Sequence, residues 1–197
     1  MTSQRIFETS FPQLFGYLFS FTGPQTEELD MIRLEPIGEE GGTRCVALNG
    51  YELAAFDDQF QVWEPVNIYM DKEVAKEAKK KKWNRAKITL DEENNSYFIL
   101  ADGSVDMAFS VKLEKNGPFP SLEPILDACQ KTAVETISLK PESLKKFMFD
   151  PQDTLHFTFS GDLGPVVIKS SKYETFWGVM MPVQPEADWS EYEDVDD

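Results

Sequence analysis

The feature that most constrains this chain is a plan that recurs three times: a short helix, then short strands of alternating polarity, each closed by a turn signal. A period of two buries one face of a sheet, and strands this short must be cut by tight turns. In the first pass, Pro12 after Ser10 opens a short buried helix over about 11–19 in the aromatic stretch from Phe7 to Phe21, although Gly16 weakens it. Strands follow over 29–35, 44–48 and 51–56, with a turn from Gly38 to Gly42 and a hairpin signal at Asn49-Gly50. The second pass has a strand over 66–70 and a helix capped by Asp71 that runs to about Lys82. Its strands cover 86–90, 97–101 and 107–113, turned at Asn94-Asn95 and Asp102-Gly103.

Gly117-Pro-Phe-Pro120 breaks the pattern, and 121–125 reads as a connecting segment. The third pass predicts a strand over 135–139, a helix over 141–148, and strands over 155–159, 166–169 and 176–183. From Gln184 the chain is polar and acidic, the composition of a disordered tail, except for Trp189 and Tyr192. The pattern predicts an α+β fold of repeated strand–helix–strands units, with helices on one face and antiparallel sheets on the other.

The net charge of -16, from 19 basic and 35 acidic residues, excludes indiscriminate coating of DNA, so any nucleic-acid contact must be a local basic patch. Cys45 and Cys129, far apart in sequence, read as free thiols rather than a disulfide framework. No apolar run approaches the ~18 residues that span a bilayer. The expectation is a soluble cytoplasmic protein without membrane contact.

Catalytic constellations are missing. His156, the single histidine, alternates away from Leu155, Phe157 and Phe159 and has no orienting partner in sequence. There is no zinc spacing, phosphate loop or nucleophile elbow. Asp57-Asp58, Glu92-Glu93 and Asp102 lie beside turn signals and read as solvated loop acids. The chain is therefore expected to be no enzyme and to carry no cofactor or metal.

The strongest charge feature is the stretch from Asp71 to Arg85. Lys72, Lys76, Lys79 and Lys80 share one side of a helix, and Lys82 and Arg85 extend the patch. One reading is a solvated face on which Glu73 and Glu77 pair with lysines. The other is a DNA-binding face that positions a duplex through phosphates without reading its sequence.

Three stretches together resemble the bacterial DNA polymerase III β sliding clamp family. Cys45-Val-Ala-Leu-Asn-Gly-Tyr-Glu-Leu-Ala-Ala55 is similar to the family's Ala-Thr-Asp-Gly-His/Tyr-Arg-Leu-Ala. Asn116-Gly-Pro-Phe-Pro-Ser-Leu-Glu-Pro-Ile-Leu126 is similar to its interdomain linker. Leu139 to Leu144, Gly164 to Ile168 and Val179-Met-Met-Pro-Val183 are similar to segments of its last domain. The sequence departs at Leu48, Asn49 and Glu52, at Ser121-Leu122, and at Gln184-Pro185.

The resemblance implies a DNA-clamp-like fold in which residues 1–126 (units 1–65 and 66–126) correspond to the family's middle domain. Residues 127–183 then correspond to a C-terminal half-domain, and 184–197 form an added tail. It also implies a pocket for short peptides of DNA polymerases or clamp loaders, made by Gly50, Tyr51, Leu53, Pro120, Ile125, Leu163, Pro165, Val179, Met181 and Pro182. Assembly into a homo-oligomer that encircles duplex DNA non-specifically is the further implication. A non-encircling clamp mimic, competing for clamp-binding peptides or mimicking DNA, is the alternative.

Overall fold

The computed structural model describes residues 4–23, 29–38, 41–129 and 137–183. The elements of the first unit are β1 (Gln4–Thr9), α1 (Pro12–Leu18), β2 (Ile32–Pro36), β3 (Thr43–Leu48) and β4 (Glu52–Asp58). The second unit repeats them as β5 (Val66–Tyr69), α2 (Lys72–Ala78), β6 (Arg85–Leu90), β7 (Ser96–Ala101) and β8 (Asp106–Lys115). A short α3 (Glu123–Asp127) leads to a third unit made of α4 (Pro141–Phe147), β9 (Leu155–Phe159), β10 (Val166–Ser170) and β11 (Phe176–Met180).

All the strands join one antiparallel sheet in the order β1-β6-β7-β8-β5-β2-β3-β4-β11-β10-β9. The first strand of each early unit pairs with the second strand of the other, β1 with β6 and β5 with β2, so the two units interlock as pseudo-twofold halves. β8 stitches the halves together: Asp106–Val111 pair with β7, and Lys112–Lys115 pair with β5. The third unit is added through β11, which pairs with β4 from Phe176↔Phe56 to Met180↔Glu52.

Strand alternation gives this sheet two different faces. Cys45, Ala47, Ala54, Phe56, Phe176 and Met180 point inward to the main core, where they meet Leu14, Phe15 and Leu18 of α1, Val74, Ala75 and Ala78 of α2, and Phe147 of α4. Val46, Leu48, Leu53, Ala55 and Val179 point the other way and form a second cluster with Leu122, flanked by Phe119, Ile125, Cys129 and Trp177. The α+β architecture and its antiparallel sheets are as predicted, but α3 and its flanks cover the face opposite the other helices. The segment read as a mere connector is a lid on outward-pointing apolar residues, which alternation alone leaves without a cover.

Other boundaries differ for physical reasons. β1 went unread because its inward Phe7 and Thr9 merge with the aromatic run that follows. α2 ends at Ala78 rather than Lys82: Lys80 N–H donates to the Glu77 carbonyl and Trp83 N–H to the Lys80 carbonyl, and these tight turns carry Trp83 into the core. The strand expected over 135–139 begins outside the described residues, and 137–140 form no strand. The tail from Gln184 also lies outside them.

Close helix packing explains two glycines. A Cβ on Gly16 would stand 2.7 Å from the Ala75 carbonyl oxygen, so the residue that weakens α1 is the one that lets α2 approach it. A Cβ on Gly178 would stand 2.2 Å from Cε1 of Phe147 and 2.7 Å from the Leu53 carbonyl oxygen. Replacing Gly178 with Ala is therefore expected to destabilise the chain by ~1–3 kcal/mol in urea unfolding, and adding Phe147→Leu to recover part of that loss. An unchanged midpoint for Gly178→Ala would show that α4 does not press on β11.

Candidate functional site

Where β4, β11 and α3 meet, Leu48, Gly50, Tyr51, Glu52, Leu53, Ile125, Val179 and Met181 line a hollow of about 200 Å³. Ligand pockets for small molecules start near ~300 Å³, so this one has the size for one or two apolar side chains. Its lip is the β3–β4 hairpin. Asn49 N–H donates to the Glu52 carbonyl, and Asn49 Oδ1 accepts from the Tyr51 and Glu52 N–H groups. Gly50 at φ +90 is the first of the two central residues, which suits a type II′ hairpin. This turn leaves Tyr51 74% exposed at the rim, with Lys140 Nζ 5.9 Å from its ring centroid. Met181 N–H donates to the Tyr51 carbonyl at 2.9 Å, tying the end of β11 to the lip.

A closed polar contact lies behind this lip. Glu52 is 6% exposed and accepts from Lys146 of α4 and from Asn49 Nδ2. Burial pushes the Glu52 carboxyl up, but hydrogen bonds from Lys146, Ser143 and Asn49, with the lysine's charge, outweigh it and hold the carboxyl below its ordinary range. This pair joins the first unit to the third directly beneath the hollow.

A second anchor holds the third unit together. Asp150 accepts from Lys172 Nζ at 2.6 Å and from the Tyr173 hydroxyl at 3.0 Å. The Lys172 hydrogen bond foremost, helped by the Gln152 N–H, lowers the Asp150 carboxyl to about 2, and Tyr173 is pushed up to about 12 by burial and by Asp150.

Six of the ten residues carried over from the resemblance thus come together: Gly50, Tyr51, Leu53, Ile125, Val179 and Met181. Pro120, Leu163, Pro165 and Pro182 do not line the hollow. Leu163 is exposed in the β9–β10 turn, whereas Pro165 is buried. Leu48 and Glu52 were missed; both depart from the family's motif, and only the hairpin geometry turns them toward the site.

The basic stretch divides. Asp71 caps α2 through Val74 N–H as expected. Lys79 is half-buried: it donates to Ser20 Oγ at 2.8 Å, lies over the Tyr17 ring, and has its pKa lowered by burial. Lys80 and Lys82 pair with Glu77, and Arg85 approaches Glu8. Lys72, Lys76 and Lys81 are exposed, with no ion pair to them among the described residues.

Among the described residues no group of three or more His, Cys, Asp or Glu side chains could hold a metal ion, and no helix is long and apolar enough to cross a membrane. Cys45 and Cys129 are both free.

No protein-family model and no curated protein matches the sequence. Solved structures do match. The sliding clamp (DNA polymerase III subunit beta) of Bartonella birtlesii, bound to griselimycin, is 13% identical with a TM-score of 0.62 over 92% of this chain and 66% of that one. This chain has a DNA-clamp fold. The sliding clamp of Pseudomonas aeruginosa is similar at 12% identity and TM-score 0.59, over 94% and 68% of the two chains. The beta subunit from Thermotoga maritima is similar at 12% and 0.58, over 94% and 67%. The match spans about two thirds of the length of those chains.

The lowered carboxyls set a pH dependence. In the unfolded chain Asp150 is ionised above about 3.8, and in the folded chain down to about 2, so its contribution is complete above pH ~4 and drains as pH falls toward 2. Glu52, also lowered, drains in the same direction below its ordinary 4.5. An acid titration followed by NMR is expected to loosen the third unit within this window, and Lys172→Met to move its transition to higher pH. No displacement in that variant would contradict the assignment.

Proposed function

We propose that this clamp-fold chain is a non-catalytic scaffold that captures DNA polymerases or clamp-loader-type proteins by seating a short peptide in the hollow between β4, β11 and α3. One observation carries the reading. Residues singled out in three separate stretches, around Gly50, Ile125 and Met181, line one apolar recess with a tyrosine at its lip and a methionine in its wall. Aromatic and thioether walls suit side-chain anchors that approach from an extended peptide. The same reading takes residues 1–126 as one clamp-like domain and 127–183 as a half-domain docked on it through β4 and β11.

Encirclement of a duplex is the further part of this reading. It is supported by the exposed Lys72, Lys76 and Lys81 on and after α2, and by β1 and β9, which among the described residues each pair on one side only and leave edges for other copies. The net charge of -16 favours the second reading, a non-encircling mimic that competes for clamp-binding peptides. Both readings need the hollow.

Titration calorimetry with a consensus clamp-binding peptide tests it. Met181→Asp, at a rim position 41% exposed, is expected to weaken binding by about tenfold or more, equivalent to about 1.4 kcal/mol, without unfolding the chain. Lys72→Glu with Lys76→Glu is expected to keep peptide binding and to lose retention on circular duplex DNA. Peptide affinity unmoved by Met181→Asp would remove the hollow from the reading, and unchanged retention would remove α2 from the duplex.

A further inference from the structure

Met181 lines the hollow, and Val183 N–H, two residues on, still donates to the Ser138 carbonyl at 2.9 Å. Trp189 lies eight residues beyond Met181, a span of up to ~26 Å when extended and ample for a return to the hollow. The segment is unusual for an acidic stretch because it holds two large aromatics, Trp189 and Tyr192, among Glu186, Asp188, Glu191, Glu193, Asp194, Asp196 and Asp197. Cations lie beside the hollow: Lys140 stands over the Tyr51 ring, and Lys146 of α4 reaches Glu52 of the lining. An apolar recess sized for one or two side chains, cations at its edge, and a tethered acidic segment carrying two aromatics are complementary in shape and charge.

We infer that the segment 184–197 of the same chain is the hollow's resident occupant, with Trp189 seated against Leu53, Ile125, Val179 and Met181, Tyr192 covering it, and the acids facing Lys140. The inference rests on the reading of the hollow as a peptide site and adds its regulation: an incoming peptide must displace a segment of the same chain. A segment tethered by so few residues acts at an effective concentration near the millimolar range. An occupant with an intrinsic constant of ~0.1 mM would then fill the hollow about nine-tenths of the time and weaken a competing peptide about tenfold.

The test uses the full chain. Trp189→Ser with Tyr192→Ser is expected to bind a labelled consensus clamp-binding peptide about tenfold tighter than the parent in fluorescence anisotropy, with the difference narrowing at high salt. Equal affinities would overturn the inference. Seating is read independently from 5-fluorotryptophan NMR, with the Trp189 resonance assigned through Trp189→Phe. The resonance is expected to move when Met181 is changed to Asp. A Trp189 line indifferent to Met181→Asp would overturn the inference, as would one that moves only as protein concentration rises, since a second copy's tail would then be the occupant. A Trp189 line that does move, in a protein whose variants bind no consensus peptide, would uphold the seated segment while removing the peptide function proposed above.

Discussion

β4 is paired on both sides, with β3 from Leu53 to Asp58 and with β11 from Phe56 back to Glu52, and the rest of the structure depends on that double pairing. Hydrogen bonding fixes the register, and register fixes which residues face which way, because a slip of one residue would turn every side chain over. With Val179 opposite Leu53, both residues point out of the main core together. With Met180 opposite Glu52 and Phe176 opposite Phe56, two aromatics and a methionine go inward under the helices. The hollow is a consequence of this arrangement: it sits where the outward residues of β4 and β11 run past the end of the cover that α3 provides.

The contact between first and third units is held by two devices, both supplied by α4. Inward, Phe147 presses on the bare backbone of Gly178, a contact that only glycine admits. Nearer the hairpin, on the same helix-covered face, the buried Glu52 and its lysine partner satisfy each other with help from Asn49 and Ser143. A buried ion pair contributes little net stability compared with apolar packing, but losing one partner leaves the other charge stranded, so the pair enforces one geometry. Both devices act on the same few residues of β4 and β11. That is why the geometry of the hollow and the docking of the third unit are one problem.

Much of this was legible in the sequence. Period-two runs and turn signals located most strands, Asp71 is the cap it was expected to be, and Asn49-Gly50 does turn a hairpin. Gly50, Tyr51, Leu53, Ile125, Val179 and Met181 were legible through motif resemblance, since nothing in local periodicity distinguishes Leu53 from Phe56. The illegible parts were tertiary. No local signal says that Gly16 is a crossing point of two helices, that α3 covers the opposite face of the sheet, or that Lys79 turns back onto Tyr17 and Ser20 while Lys76 faces solvent. Helical spacing grouped Lys79 with Lys72 and Lys76, whereas the approach of α1 separated them.

Register between β4 and β11 creates the recess proposed as the partner site. A crystal structure of the chain with a consensus clamp-binding peptide tests it most directly. The account predicts apolar anchors of the peptide against Leu53, Val179 and Met181, with the Glu52–Lys146 pair intact beneath them. A peptide bound elsewhere on the sheet, or a third unit drawn away from β4 to admit it, would contradict the account.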